Sequence, residues 1–428
     1  MNLHGEEVFF VDTDRYVGKT MVYVPLRSYL ALAPEASAAQ LKEEQLSPAA
    51  SEFFARLKRR PLISIQQTIQ ELSHCTPHLT LALTEDCSLR CQYCYAAAGE
   101  DHRKSAMTPQ LISKVVEKYF STQKFHKNEP IEVTFMGGGE PTFRFDLLQH
   151  GVAEVNRCAS SASVKATFSL ATNGFYGTPI RKFLVDNFSN ISLSLDGPAD
   201  IQNLHRPAAD GSGTFDRVFE TAKYLHAAGA PMAFRATVTS YSVNRVREIV
   251  DFFCGNFPKT SLGFEIFIPH GRGAHCTLLQ PPSDQEFSRA LLDAIAYGRE
   301  RNYSITNAAA SEYHIVRGAF CSAVAVPEWT ITVNGTITCC ERDGAPDEFT
   351  FGYYDEKEDR VVLDDAKISA LRSMNVLNYP ECQECFCKYN CAGDCPDRRM
   401  EKVYKTDCDS IRKIGSYMLS QKLAETIQ

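Results

Sequence analysis

The chain has 428 residues, 44% hydrophobic and 23% charged, with a formal net charge of −7. That length predicts two or three domains with a sizeable core, and the acidic balance argues against nucleic acid or an anionic membrane as the main partner. No apolar run approaches the roughly 18 residues of a spanning helix, and the start Met1-Asn2-Leu3-His4-Gly5-Glu6-Glu7 lacks the basic and apolar parts of an export signal. A cytoplasmic, monomeric protein is expected. In a reducing compartment its sixteen cysteines point to metal or redox chemistry before disulfides.

Residues 1–75 carry short strand-like runs, Val8–Val11 and Thr20–Val24, and a helical pattern over Ala49–Arg60 with Phe53, Phe54 and Leu57 on one face. Residues 76–305 are regular. Six β-branched or apolar runs (His78–Thr84, Ile131–Met136, Ala166–Ala171, Ile191–Leu195, Phe234–Thr239 and Phe264–Ile268) alternate with helical stretches such as Thr108–Phe120, Asp146–Ala159 and Phe215–Ala228. That alternation means βαβ units and a parallel sheet, an α/β fold. Six units suit a partial (β/α)6 TIM-type barrel, whose chemistry is expected at the C-terminal strand ends. Residues 306–428 break the rhythm. Short strands, turns and nine of the cysteines follow, then a helix near Ile411–Gln428. A loop-rich segment of this kind needs a staple, and metal is the expected one.

Directly after the first barrel strand, Cys87-Ser88-Leu89-Arg90-Cys91-Gln92-Tyr93-Cys94 sets three thiols on one loop with the spacing C-x3-C-x2-C. Three thiolates can bind three irons of a cubane cluster and leave the fourth iron open. A structural zinc site wants a fourth ligand, for which His102 is the nearest candidate. Met136-Gly137-Gly138-Gly139-Glu140-Pro141 follows the second strand, Thr172-Asn173-Gly174 the third and Ser194-Leu195-Asp196-Gly197-Pro198 the fourth.

The cysteine spacing, with Tyr95 after it, resembles the motif of the radical S-adenosylmethionine (radical SAM) superfamily. The resemblance implies that Cys87, Cys91 and Cys94 hold a [4Fe-4S] cluster whose open iron chelates the amine and carboxylate of S-adenosyl-L-methionine. Reductive cleavage would then give a 5′-deoxyadenosyl radical. It further implies that Gly138, Gly139 and Glu140 bond the methionyl amine, that Thr172 and Asn173 lie at a cofactor-binding strand end, and that Ser194 bonds the carboxylate or ribose. Arg206 would pair with the carboxylate, with Arg217 and Arg235 as competitors, and Ile268 would pack on adenine.

The later cysteines run Cys382-x2-Cys385-x5-Cys391-x3-Cys395-x12-Cys408, with Cys321-x13-Gly335-x4-Cys340 upstream. This resembles the SPASM domain of peptide- and protein-modifying radical enzymes, and implies two auxiliary iron–sulfur clusters. Carried over, Cys321, Cys340 and Cys395 bind one, and Cys382, Cys385, Cys391 and Cys408 the other; structural zinc is the rival for either. Sulfatase-activating relatives have one more cysteine before the position of Cys321, whereas here Ser311–Arg317 has none. Either Cys339 is the fourth ligand or one iron is open. Cys387 is an extra cysteine and is read as a bystander. Glu341 stands where those relatives place a catalytic aspartate, so it is the candidate base.

The expected protein is therefore a radical SAM/SPASM maturase of a precursor peptide, making a cross-link (a thioether is one form) or an oxidation, and fed by a donor such as flavodoxin or ferredoxin. The alternatives are an anaerobic sulfatase-maturating enzyme and a non-catalytic metal-binding scaffold. Three segments are expected: an extension over 1–75 able to dock peptide at a strand edge, a barrel over 76–305, and a cluster-binding domain over 306–428.

Overall fold

The computed structural model describes residues 1–42, 48–72, 75–100, 105–125, 129–310, 315–340, 347–400 and 407–427. The chain forms two compact units. One comprises Thr76–Thr306 and Val326–Arg372; the other comprises Met1–Cys75, Asn307–Ala325 and Ser373–Gln428. The segment 306–428 is thus shared between them.

The first unit is built on one sheet. Its parallel strands are β1 (Leu79–Leu81), β2 (Ile131–Phe135), β3 (Ala166–Thr172), β4 (Asn190–Ser194), β5 (Met232–Val238), β6 (Ser261–Ile266) and β7 (Ser304–Thr306), laid side by side in chain order. Helices connect them, among them Pro109–Thr122, Phe145–Ser161, Thr178–Asn187, Phe215–Ala227, Val246–Asn256 and Asp284–Glu300. Their starts carry stop-and-go chemistry visible in the sequence. Thr108 caps the first by accepting from Leu111 N, with Pro109 at its first position. Ser283 and Glu286 form a reciprocal capping box on the last. This is the α/β partial barrel expected.

The sheet also extends past β1 into the stretch read from the sequence only as short strands after the rhythm breaks. β8 (Trp329–Ile331) pairs in parallel with β1, and an antiparallel run of β9 (Thr336–Thr338), β10 (Thr350–Asp355) and β11 (Arg360–Leu363) continues outward from it. Trp329, the chain's one tryptophan, is buried there against the Tyr119 ring, 5.6 Å between centroids.

Strand alternation separates two faces. Phe135, Phe168, Leu193, Phe234 and Phe264 are buried on the helix side; a Cβ on Gly151 of the covering helix would lie 2.8 Å from the Phe135 ring. The opposite face carries Thr80, Thr134, Ser192, Ser194, Arg235, Thr237 and Glu265, aligned by register across β1, β2, β4, β5 and β6. A closed barrel fills its interior with branched apolar side chains. This inner face is polar and cannot pack on itself, which leaves it available to a polar ligand.

In the second unit, the antiparallel strands Phe9–Val11, Lys19–Val24 and Tyr29–Pro34 form a small sheet. The middle strand is buried on both sides. Met21 and Tyr23 join Phe9, Cys387, Leu419 and Leu423 in one core, while Val22 and Val24 join Leu3, Val8, Phe54 and Leu57 in another. Tyr23 Oη also donates to Asn390 Oδ1 at 3.2 Å. The N-terminal strands therefore share a core with the cysteine-rich segment and the C-terminal helix Cys408–Ile427.

Candidate active site

The loop carrying Cys87, Cys91 and Cys94 is clamped at the C-terminal end of β1. Its residues Ser88–Gln92 run antiparallel to His205–Ala209, with Arg90 N donating to Pro207 O (2.8 Å), Gln92 N to His205 O (2.9 Å) and Ala209 N to Ser88 O (3.0 Å). Two arginines staple it from within and from across the sheet. Arg90 Nη1 donates to the Cys87 carbonyl at 2.9 Å and its Nη2 to the Gly99 carbonyl. Arg272 donates to Cys91 O (3.1 Å), Ala98 O (2.7 Å) and Glu100 Oε1 (3.0 Å). Gly271, at φ +50°, lies so close that a Cβ would sit 2.5 Å from the Tyr95 carbonyl oxygen. The thiols are half-buried. Burial pushes the Cys87 thiol well up and that of Cys91 to about 11, the latter against the pull of Arg206.

Donors point at two of the sulfurs. Asn173 Nδ2 lies 3.6 Å and Leu89 N 3.5 Å from Cys87 Sγ, and Arg206 Nη1 lies 3.9 Å from Cys91 Sγ. Among the described residues, no three His, Cys, Asp or Glu side chains gather tightly enough for a single metal ion. A cubane takes one thiolate per iron and holds them apart, and three thiols with N–H donors fit that group.

The glycine turn is fixed by close approach. Gly139 N donates to Thr84 O (2.9 Å) and Glu140 N to Asp86 O (2.8 Å). A Cβ on Gly139 would clash with the Asp86 carbonyl oxygen and lie 2.6 Å from that of Thr84, whereas one on Gly138 would meet only Glu85 Cγ at 3.7 Å. The Glu140 carboxylate is buried and spent within the protein. Its Oε1 accepts from Thr142 N (3.1 Å), Thr142 Oγ1 (2.7 Å) and Thr172 Oγ1 (2.8 Å), and its Oε2 from Asn173 N (2.7 Å). Burial raises its pKa even against those four donors. Glu140 thus ties the end of β2 to the end of β3. Asn173 Oδ1 accepts from Phe175 N at 2.9 Å, so its side chain links the strand end to the cysteine loop. Ser194 ends β4 on the inner face, and Ile268 is half-buried just past β6.

Arg206 is not standing free for a cofactor carboxylate. It is buried, ion-paired to Asp196 (Nε to Oδ1, 3.2 Å) and laid over the Tyr93 ring at 5.1 Å. Arg235 is exposed on β5, and Arg217 lies over Phe175 at 5.2 Å.

In the other unit, Cys382, Cys385, Cys391 and Cys408 line one cavity of about 260 Å³ together with Cys387, Arg399 and Arg412. Hydrogen bonds from Cys387, working against burial and aided by Arg412, bring the Cys385 thiol down to about 6; burial takes Cys391 up to about 12. Cys387 is buried among them, its thiol 3.9 Å from the Ile411 carbonyl oxygen. Four thiols around a cavity among cationic donors fit an iron–sulfur cluster. Cys321 and Cys395 belong to this unit, and Cys339 and Cys340 follow β9 in the barrel unit. Glu341, His102 and Ser311–His314 lie outside the described residues.

Residues 81–253 match the family described as the Radical SAM superfamily. The barrel belongs to the radical SAM superfamily. The superfamily implies a [4Fe-4S] cluster and S-adenosylmethionine as cofactors. The cysteine-type anaerobic sulfatase-maturating enzyme of Clostridium perfringens is 23% identical over 367 residues, covering 81% of this chain and 95% of that protein. The structure of anSMEcpe with bound AdoMet superposes with a TM-score of 0.64 at 19% identity, covering 82% of this chain and 95% of that one. Streptococcus suis SuiB bound to precursor peptide SuiA superposes with a TM-score of 0.53 at 16% identity, covering 96% and 100%. Among the described residues, no helix is long and apolar enough to cross a membrane.

Sequence reasoning missed Arg272 and the partners of Arg206. Arg272 has no motif around it. Asp196, His205 and Tyr93 all lie within or beside quoted runs, but only the folded chain brings them to one another.

Proposed function

We propose that this chain is a radical SAM maturase of a precursor peptide, with two auxiliary iron–sulfur clusters. The observation that carries this reading is that one chain combines an incomplete three-thiol set at the mouth of a polar barrel face with a separate four-thiol cavity. The relatives point the same way: one is named for maturing sulfatases and another was solved with a precursor peptide.

Cys87, Cys91 and Cys94 would hold the barrel cluster. When bound with S-adenosylmethionine, it supplies the radical that removes hydrogen from an unactivated carbon of the peptide. Gly138 and Gly139 would offer main-chain groups to the methionyl amine, with Glu140, Thr172 and Asn173 fixing that turn in place. Ser194 would bond the carboxylate or ribose and Ile268 would cover the adenine. Cys382, Cys385, Cys391 and Cys408 would hold one auxiliary cluster, and Cys321, Cys340 and Cys395 the other with Cys339 as the rival fourth ligand. These clusters would supply an electron sink, and Glu341 would take the proton lost from the substrate. An electron donor of the flavodoxin or ferredoxin kind would reduce the enzyme.

The test is anaerobic. Reduced protein given S-adenosylmethionine should release 5′-deoxyadenosine, carry on the order of twelve irons per chain with matching sulfide, and change the mass of a precursor peptide encoded beside it. About four irons with stoichiometric zinc would overturn the auxiliary clusters. Formylglycine formed on a sulfatase-derived peptide would instead select the sulfatase-maturating reading that the Clostridium relative favours.

A further inference from the structure

Behind the cysteine loop lies a buried polar network centred on Asp196. Asp196 is 1% exposed. Its Oδ1 accepts from Thr237 N at 3.0 Å and faces Arg206 Nε at 3.2 Å; its Oδ2 receives the Tyr93 hydroxyl and lies 3.0 Å from His205 Nδ1. These partners come from the cysteine loop, from β5 and from the end of the helix Ala199–His205. His205 is held in turn by Thr239, 3.0 Å from Nε2.

Such a pair is expensive. Desolvating two charges costs several kcal/mol, and apolar side chains of equal volume often do as well. Burial works to raise the Asp196 carboxyl, yet Arg206 and His205 outweigh it and hold it near 2, so the carboxylate is an anion at neutral pH. The guanidinium it anchors reaches the cluster ligand set: Nη1 is 3.9 Å from Cys91 Sγ. The guanidinium turns Nη1 to Cys91 Sγ and Nε to Asp196, so its cation lies on the sulfur's side of the pair.

We propose that Asp196 is a positioning residue that fixes the Arg206 guanidinium against Cys91, and that this cation raises the reduction potential of the barrel cluster. The inference rests on reading Cys87, Cys91 and Cys94 as cluster ligands. Reduction adds a negative charge to the cluster. A cation beside a ligand sulfur at low dielectric stabilises the reduced form, and hydrogen bonds to sulfur and local charge set such potentials. Asn173 offers Cys87 only a neutral donor, and Arg90 and Arg272 direct their hydrogen bonds to carbonyl oxygens and Glu100, so Arg206 is the cation turned toward a ligand sulfur.

The experiment is a redox titration of SAM-free holoprotein. It follows by electron paramagnetic resonance the cluster signal that added S-adenosylmethionine shifts. Removing both charges in R206M/D196N leaves no buried charge orphaned. It should retain iron and lower the reduction equilibrium about tenfold, about 59 mV for one electron. R206K keeps the charge and should stay within about threefold of wild type; Y93F, which removes one hydroxyl, should not shift the signal. An unchanged potential in R206M/D196N with full iron overturns the proposal. So does loss of the cluster from R206K and R206M/D196N alike, which would make the network a folding element. Weaker cofactor binding in R206K with unchanged SAM-free potential in the double variant also overturns it, returning Arg206 to the cofactor carboxylate. A wild-type protein with no SAM-responsive signal would sink the cluster reading itself.

Discussion

The two gathered cysteine sets differ in how they are held and in what surrounds the sulfur. The barrel set sits on a loop whose backbone is pinned by arginines reaching carbonyl oxygens, and burial keeps Cys87 and Cys91 protonated in the metal-free protein. In the cavity set a cation reaches sulfur as Arg206 does at Cys91, with Arg399 Nη1 4.0 Å from Cys382 Sγ, but there Cys387 and Arg412 bring one thiol, Cys385, down rather than up. Three thiols at a polar strand end leave a metal position for a ligand to complete. Four thiols around a cavity complete a cluster themselves. The first arrangement suits chemistry on a bound molecule and the second suits holding or passing an electron.

The largest effect should come from deleting the first set. Replacing Cys87, Cys91 and Cys94 together by alanine should reduce 5′-deoxyadenosine formation to background while the remaining iron–sulfur absorbance persists. The ligands of the two sets come from different compact units, so losing one should spare the other. Persisting deoxyadenosine would erase the distinction between them.

Next comes the glycine turn. Gly139→Ala forces a methyl into the Asp86 and Thr84 carbonyls and should cost about 1–3 kcal/mol of stability, as overpacking typically does, with weaker cofactor binding. Gly138→Ala has room and should cost under about 1 kcal/mol. Thermal melts of both variants, paired with cofactor titrations, check this; equal losses would mean that the turn is not held by close approach.

Arg272→Met tests the pinning itself. It removes three hydrogen bonds to the cysteine loop while keeping most of the side-chain volume. Loss of bonds from a charged donor should cost about 1–3 kcal/mol and show as faster iron release to a chelator from the barrel set alone. Unchanged release would place the loop's rigidity in its backbone pairing with His205–Ala209.

How far this contrast was legible in the sequence depends on reach along the chain. Six strands and most helices followed from local periodicity, because each buried row, such as Phe234, Ala236 and Val238, alternates with inner-face residues. Ser304–Thr306 was missed: it is only three residues long, with one apolar residue between two polar ones. The pairing of Trp329–Ile331 with β1 was missed because its partner lies about 250 residues upstream. The cysteine sets were readable since metal spacing is a local code. The pairing of Arg206 with Asp196, ten residues earlier, is invisible in the sequence because it forms only after the intervening helix folds back. The influence of Cys387 on the Cys385 thiol leaves no mark on spacing.

The smallest effect concerns that thiol. In metal-free protein Cys385, near 6, is thiolate at neutral pH, while Cys87 and Cys91 stay protonated. Iodoacetamide at pH 7 with peptide mapping should therefore label Cys385 ahead of the barrel pair, since the thiolate is the nucleophile. The sign is fixed by the direction of the shift. Labelling of Cys385 should fall only as pH drops through about 6, whereas Cys91 should begin to react as pH rises toward about 11. Cys387→Ala removes the leading cause of the depression and should raise the Cys385 pKa toward that of an ordinary thiol. The gain in intrinsic nucleophilicity partly offsets the lost thiolate fraction, so the rate at pH 7 should drop only several-fold. Equal labelling of both sets would show that the cavity does not activate its sulfur, and the contrast would reduce to ligand number alone.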